Sequence, residues 1–364
     1  MKQYMKTAAG MPLKSDPVIP QYKIRIGTGG ENVSSQAEKH YENDEIQNLQ
    51  KVTKEKLTQK SFKSNIFDYM IEKMFFVFGS IAVFILLLLL YFLIREGWPA
   101  IQENGVMPYI TETRWNPSSG EPGFGALPFI TSSIMVTLGA LIIAIPWGIF
   151  TAIFIAEIAP KRVRETLKPV VEVLAIFPSV VLGFIALVIL GPIVANIFDL
   201  SNGRTALTAS LILSVMALPT IISIAEDSLR SVPKDYREAA YALGASRWET
   251  IKIVTLPAAK SGIVAGVMLG FGRAVGETMT VLMAAGNSLN MPISEFFGVA
   301  LPNFLMSVRT LTANIAIEGS DVPWGSLHYS SLFVLALILF VITFIINLIA
   351  DLLISRQRRK LTNE

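Results

Sequence analysis

The sequence predicts an all-α polytopic membrane protein with six transmembrane helices and both termini on the cytoplasmic side. Three observations carry that expectation. Hydrophobic residues make up 52% of the chain and charged residues only 16%, where a soluble domain carries about 25% charged. Six apolar segments follow one another, roughly 71–94, 129–156, 170–190, 206–225, 261–285 and 331–354, each near the about 20 residues that cross a bilayer. Lysine and arginine then alternate between connections. One set holds Lys161, Arg162, Arg164 and Lys168, then Arg230, Lys234, Arg237, Arg247, Lys252 and Lys260, then Arg356, Arg358, Arg359 and Lys360. The opposite set holds Arg95, Arg114, Arg204 and Arg309. The basic set marks the cytoplasmic face.

Composition also excludes chemistry. The chain has no cysteine, so disulfides, thiolate metal sites and cysteine nucleophiles are ruled out. Its histidines are His40 and His328, too few for a multi-histidine metal site. No metal cluster or nucleophile–base pair is evident within the spans, which argues against a membrane enzyme acting on lipids.

Residues 1–65 are polar and lysine-rich. They are expected to form a mostly disordered cytoplasmic tail with one short helix around 40–58. The first apolar run starts too late for a signal peptide. Gly27-Thr28-Gly29-Gly30 is followed by no Gly-Lys-Ser/Thr and is not a phosphate loop. Residues 66–128 comprise the first span, with its run Ile85-Leu86-Leu87-Leu88-Leu89-Leu90, and an outer loop. Residues 129–355 form the core, and 356–364 a basic cytoplasmic tail. Pro146 and Pro178 are expected to kink the second and third spans. The outer loops, about 95–128 and 286–330, are rich in Pro, Gly, Asn and Trp. His328, at the outer edge of the sixth span, reads as an interfacial histidine rather than a ligand. Glu157 and Glu172 read as solvated or paired with bases.

Between the fourth and fifth spans lies a polar segment containing Glu238-Ala239-Ala240-Tyr241-Ala242-Leu243-Gly244 and, further on, Leu256-Pro257. Val232-Pro233 ends the fourth span, and 234–244 is expected to be a short helix. Tyr236, Ala239, Ala240 and Leu243 recur at helical spacing and define one face. Gly244 supplies the backbone freedom that a helix C-terminus needs. Ala245–Val254 then resumes as helix.

The fifth span carries Gly262, Gly266 and Gly270 every four residues, a close-packing face. Arg273 and Glu277 follow at i and i+4, with Thr278 and Thr280 beyond. Two charges at this depth cost about 2.5 kcal/mol or more each and mark a pathway or a partner site. Two roles fit. The guanidinium offers itself to an oxyanion in transit, with Glu277 selecting protonated anions; or the pair is structural and pins or gates two helices.

The Glu238–Pro257 segment resembles the EAA loop of ABC-transporter permeases. Gly272-Arg273-Ala274-Val275-Gly276-Glu277-Thr278-Met279 is similar to the corresponding segment of phosphate ABC permeases; sulfate and molybdate permeases tend to place a phenylalanine after the glutamate. Phe154–Pro160, Phe177–Val181 and Arg309–Ala316 match further, the last resembling the PstC-type subunit. The resemblance covers about 66–358. It implies a type I ABC permease (MetI-like) fold in a bacterial inner membrane. It implies a phosphate importer, with another oxyanion such as sulfate, molybdate or phosphonate as the alternative. The chain itself would hydrolyse nothing and bind no cofactor. ATP and Mg would sit on a PstB-type ATPase dimer, beside a second, PstA-type permease subunit and a PstS-type extracytoplasmic phosphate-binding protein. Membrane lipid is the remaining partner, and nucleic acid is not one. In that family the glutamate and glycine of the loop touch the ATPase. The role is carried to Glu238 and Gly244, with Ala239 and Ala240 on the contact face and Leu256 and Pro257 completing the motif.

Overall fold

The computed structural model describes residues 33–296 and 299–362. The chain divides into two units, up to Val83 and from Phe84 onward. Helix α1 runs from Val33 to Asn104. The expected short helix at 40–58 is therefore part of a longer one, and the rest of the tail, 1–32, lies outside the described residues. Past Phe84, α1 meets the last helix through Phe92, edge-on to Phe333 at 5.6 Å, and through Gly97 against Val334.

After α1 come α2 (Met107–Thr111) and a hairpin of β1 (Trp115–Asn116) and β2 (Gly123–Phe124), paired antiparallel. Helix α3 (Leu127–Ile153) continues into a π turn, Phe154–Ile158. Helix α4 (Lys161–Ile176) precedes α5 (Ser179–Ile185), a second π turn (Ala186–Leu190) and α6 (Gly191–Phe198). Helix α7 (Ala206–Ser231) leads to α8 (Lys234–Ala242) and α9 (Arg247–Thr250). A third π turn (Ile251–Thr255) then opens into α10 (Leu256–Val275) and α11 (Met279–Ala284). Strands β3 (Ile293–Phe296) and β4 (Val299–Pro302), α12 (Leu311–Glu318) and α13 (Leu327–Thr362) complete the order.

Among the described residues, six helical stretches are long and apolar enough to cross a membrane: Tyr69–Asn104, Leu127–Ile158, Ser179–Phe198, Ala206–Ser231, Arg247–Val275 and Leu327–Ile349. Four of them overlie their expected positions closely. The fifth, expected at 261–285, is shifted to Arg247–Val275, and the third is displaced too. The expected span 170–190 is cut by Phe177-Pro178, both in extended backbone. Pro178 disfavours helix at Phe177, so α4 stops and the span starts at Ser179. The expected kink there is a full break. By contrast, α3 runs through Pro146 without interruption.

Helix α7 is the centre of the second unit. In its most apolar stretch 61% of residues are buried, more than in any other span described, and it packs on both α3 and α10. Its contact with α10 is the glycine face. A Cβ on Gly270 would lie 2.7 Å from Ile221, and one on Gly262 would overlap Ser228. Gly266 is buried against Ile224. The stripe continues to Ala274, which is 3% exposed.

Candidate functional site: an exposed helix and a pair of helix breaks

Helix α8 stands on the side of the bundle where the basic connections meet. Its lysine- and glutamate-bearing surface is exposed, and Ala240 alone among its residues is buried. Gly244 adopts φ +85°, and its N–H and that of Ala245 close back on Tyr241 and Ala240. That left-handed step ends the helix. Ser246 and Glu249 then form a reciprocal cap that starts α9. The exposed set is Tyr236, Glu238, Ala239, Tyr241, Leu243 and Gly244. Ala240 does not belong to it. It faces the chain's own interior at 9% exposure, one position round the helix from Ala239. Leu256 also turns inward and packs on the cluster containing Ile153, Leu229 and Ile251. Pro257 stays exposed in the first turn of α10, directly after the π turn that shifts the hydrogen-bond register.

Arg237 anchors the helix from below. Its Nη1 donates to Val232 O (2.8 Å), and its Nη2 to Leu229 O (2.7 Å) and Glu157 Oε1 (2.7 Å). Arg247 donates to the carbonyl oxygen of the same Glu157. Glu157 is thus paired with bases, as expected. A cleft of about 510 Å³ opens beside α8, lined by Glu157, Arg230, Lys234, Glu238 and Tyr241 among others.

The fifth span departs from expectation at its charges. Helix α10 ends at Val275, and Gly276-Glu277-Thr278 is not α-helical. Arg273 and Glu277 therefore do not lie on one helix, and no ion pair joins them among the described residues. Arg273 donates instead to Ala175 O at the end of α4 (3.1 Å) and to Thr220 Oγ1 of α7 (3.4 Å). Glu277 accepts from the backbone N–H of Thr280 (3.1 Å), so it caps α11. Its carbonyl accepts from Thr312 Oγ1 (3.1 Å). Thr278 lies in the break, and its hydroxyl approaches Gly276 O at 3.5 Å. Thr280 donates to Ser179 O (2.9 Å).

Two broken helices therefore meet. Arg273 bonds the Ala175 carbonyl, three residues before Pro178, and Thr280 bonds the Ser179 carbonyl directly after it. The breaks at Phe177-Pro178 and Gly276–Thr278 lie side by side, stitched by one guanidinium and one hydroxyl. Both Arg273 and Glu277 remain partly exposed.

Sequence reasoning missed two polar clusters. Glu226, 1% exposed, accepts from Lys168 (2.7 Å) and Arg230 (3.2 Å), and Lys168 also donates to Asp227 (2.8 Å). Hydrogen bonds to Asp227 and then Glu226 hold the Lys168 ammonium above its usual pKa, so it stays charged. An acid at i and a base at i+4 near the end of an apolar run, Glu226 and Arg230, was the available signal. On the opposite side, Glu318 accepts from Trp115 Nε1 (2.9 Å) and Arg309 (3.2 Å) and lies 2.8 Å from His328 Nε2. Burial lowers the Arg309 pKa, and the Glu318 charge opposes it. His328 is engaged by Glu318. Among the described residues no group of three or more His, Asp or Glu is placed to hold a metal ion.

Residues 144–359 match the family described as binding-protein-dependent transport system inner membrane component. The chain is 40% identical over 269 residues to the probable ABC transporter permease protein YqgH of Bacillus subtilis, covering 73% of this chain and 84% of that one. It is 35% identical to the phosphate transport system permease protein PstC of Mesorhizobium japonicum, over 72% of this chain and 83% of that one. Among solved structures, a bacterial alginate ABC transporter in complex with its alginate-bound periplasmic protein superposes with a TM-score of 0.52. It is 15% identical and covers 79% of this chain and 96% of that one, a likeness of fold.

Proposed function

The chain belongs to the family of binding-protein-dependent transport system inner membrane components, and on that premise we propose that it is the permease subunit of an ATP-driven importer of inorganic phosphate. It spans the bacterial cytoplasmic membrane with the α8 side inward. A separate ATPase dimer binds ATP and Mg and docks on α8. A second permease subunit completes the path, and an extracytoplasmic phosphate-binding protein delivers the substrate. The phosphate assignment is supported by relatives such as the Mesorhizobium PstC protein.

The observation that carries the reading is the exposed, tethered helix α8. A short helix held at its base by Arg237 and presenting Glu238, Ala239, Leu243 and Gly244 outward is a docking element rather than a buried connector. Arg273, Glu277 and Thr278 belong to the substrate path or its gate. The bonds from Arg273 and Thr280 to α4 and α5 favour the gate, because they hold two helix breaks together.

The test is uptake of labelled phosphate in cells lacking only this chain, rescued with wild type or Glu238→Arg. Rescue by wild type alone, abolished by ATP depletion and not competed by sulfate, is expected. Rescue by both would detach α8 from coupling. Competition by sulfate, molybdate or phosphonate would move the substrate to that oxyanion.

A further inference from the structure

We propose that α4 is a strut that carries movement of α8 to the break in the fifth span, with Arg164 as the positioning residue that couples it. The proposal rests on the importer reading above. A continuous series of polar contacts supports it. Arg237 of α8 bonds the Glu157 carboxylate and Arg247 of α9 bonds its carbonyl, so the segment 234–250 grips the π turn Phe154–Ile158 from two points. Arg164 of α4 grips the same turn: Nε donates to Ile155 O and Nη2 to Ala156 O, each at 2.8 Å. Those carbonyls end a helix and are followed by Pro160, which has no N–H to offer. The planar guanidinium fork satisfies both at a fixed orientation. At the far end of α4, Ala175 O receives Arg273.

The rest of α4 is loosely held. Val171 is its buried residue, packed with Ile155 and Ile222. Midway, Lys168 bonds Glu226 and Asp227 of α7. A lightly packed helix gripped at its ends, tied midway through the long Lys168 side chain and followed by the extended pair Phe177-Pro178, moves as a rigid body about that hinge. A displacement of the π turn is then read out at Ala175, where it changes the reach of Arg273 across the two breaks. The contiguous contacts name the route, and in this scheme Pro178 is its hinge.

The chain's lack of cysteine makes the test direct. A single cysteine in place of Phe177, a residue 41% exposed, is labelled with a maleimide in the assembled transporter, with and without a non-hydrolysable ATP analogue. In the otherwise wild-type chain the labelling rate is expected to change about tenfold, within the usual range of coupling between sites. With Arg164→Gln added, the nucleotide effect is expected to fall below about twofold while the ATPase still co-purifies. Arg164→Lys, which keeps the charge but not the planar fork, is expected to fall between. A full nucleotide effect in Arg164→Gln overturns the strut alone, as does a full effect in Arg164→Lys should the glutamine variant fail to assemble. An otherwise wild-type complex whose cysteine in place of Phe177 does not respond to nucleotide overturns the strut, whereas failure of the same complex to take up labelled phosphate overturns the importer reading beneath it.

Discussion

Arg273 is charged, partly exposed and shared between two neighbours, α4 and α7. Lysine cannot reproduce two directed bonds from one planar group. Arg273→Lys is therefore expected to lose one of them, a charge-assisted bond of about 1.5–3 kcal/mol. The measurement is uptake in the assembled transporter, expected to fall about tenfold or more with assembly intact. Glu277 calls for a different experiment. Its carboxylate caps α11 through Thr280 N–H, and a glutamine oxygen can accept the same bond. Glu277→Gln is therefore expected to leave the apparent melting temperature nearly unchanged while relaxing discrimination against sulfate. Unchanged selectivity with normal uptake would confine Glu277 to the cap. Glu226 is the harshest site. Removing a buried carboxylate that holds two cations typically costs about 3–5 kcal/mol, here reduced because Lys168 keeps Asp227 and Arg230 reaches water. Glu226→Ala is expected to lower stability by about 2 kcal/mol, seen as a lower melting temperature in detergent, and Glu226→Gln by less.

Among the elements, α8 and its stop are the parts the sequence described best. Gly244 was expected to need a left-handed backbone and has φ +85°. A side chain there has space but not the conformation. Gly244→Val is expected to cost about 1–2 kcal/mol and to weaken ATPase co-purification, while Gly244→Asn, which tolerates positive φ, retains it. The glycine stripe of α10 was equally legible, since spacing by four gives a face regardless of partner. Gly270→Ala would place a carbon 2.7 Å from Ile221, and overpacking of that kind costs about 1–3 kcal/mol, against about 1 kcal/mol of helix propensity gained. A net fall in melting temperature is expected. The errors lie where local and global signals compete. Val170, Val171, Val173 and Leu174 are apolar enough to resemble a span, yet they belong to α4, because Pro178 stops the helix. The third span, expected to end at 190, runs on through Gly191-Pro192 at the start of α6 to Phe198. Helical spacing paired Arg273 with Glu277, but periodicity presumes an unbroken helix and this one ends at Val275. The clusters around Glu226 and Glu318 join residues far apart in sequence, which spacing cannot reveal.

At the scale of the whole molecule, the six spans differ in how much of themselves they hide. Over their most apolar stretches, the central α7 is 61% buried whereas the Tyr69–Asn104 span is 0% buried. Phe75, Phe76, Phe78 and Phe84 are each at least 60% exposed. An apolar surface of that extent requires lipid or another chain. Expressed alone and extracted in detergent, the chain is expected to elute as a broad, polydisperse peak. Co-expression with a second permease subunit is expected to give a discrete complex, measured by size-exclusion chromatography with light scattering.

The break at Gly276–Thr278 has a consequence for solvent. Backbone outside a helix persists at membrane depth only where protein encloses it or water reaches it. Glu277 O is covered by Thr312, and Gly276 N–H reaches Gly272 O only at 3.4 Å. The neighbouring helices α10 and α11 keep their ladders. Amide deuterium uptake across the fifth span should therefore be uneven, slow over Gly262–Ala274 and fast at Gly276–Thr278. If nucleotide binding opens the seam to water on one face, the same three amides will report when the route is wet.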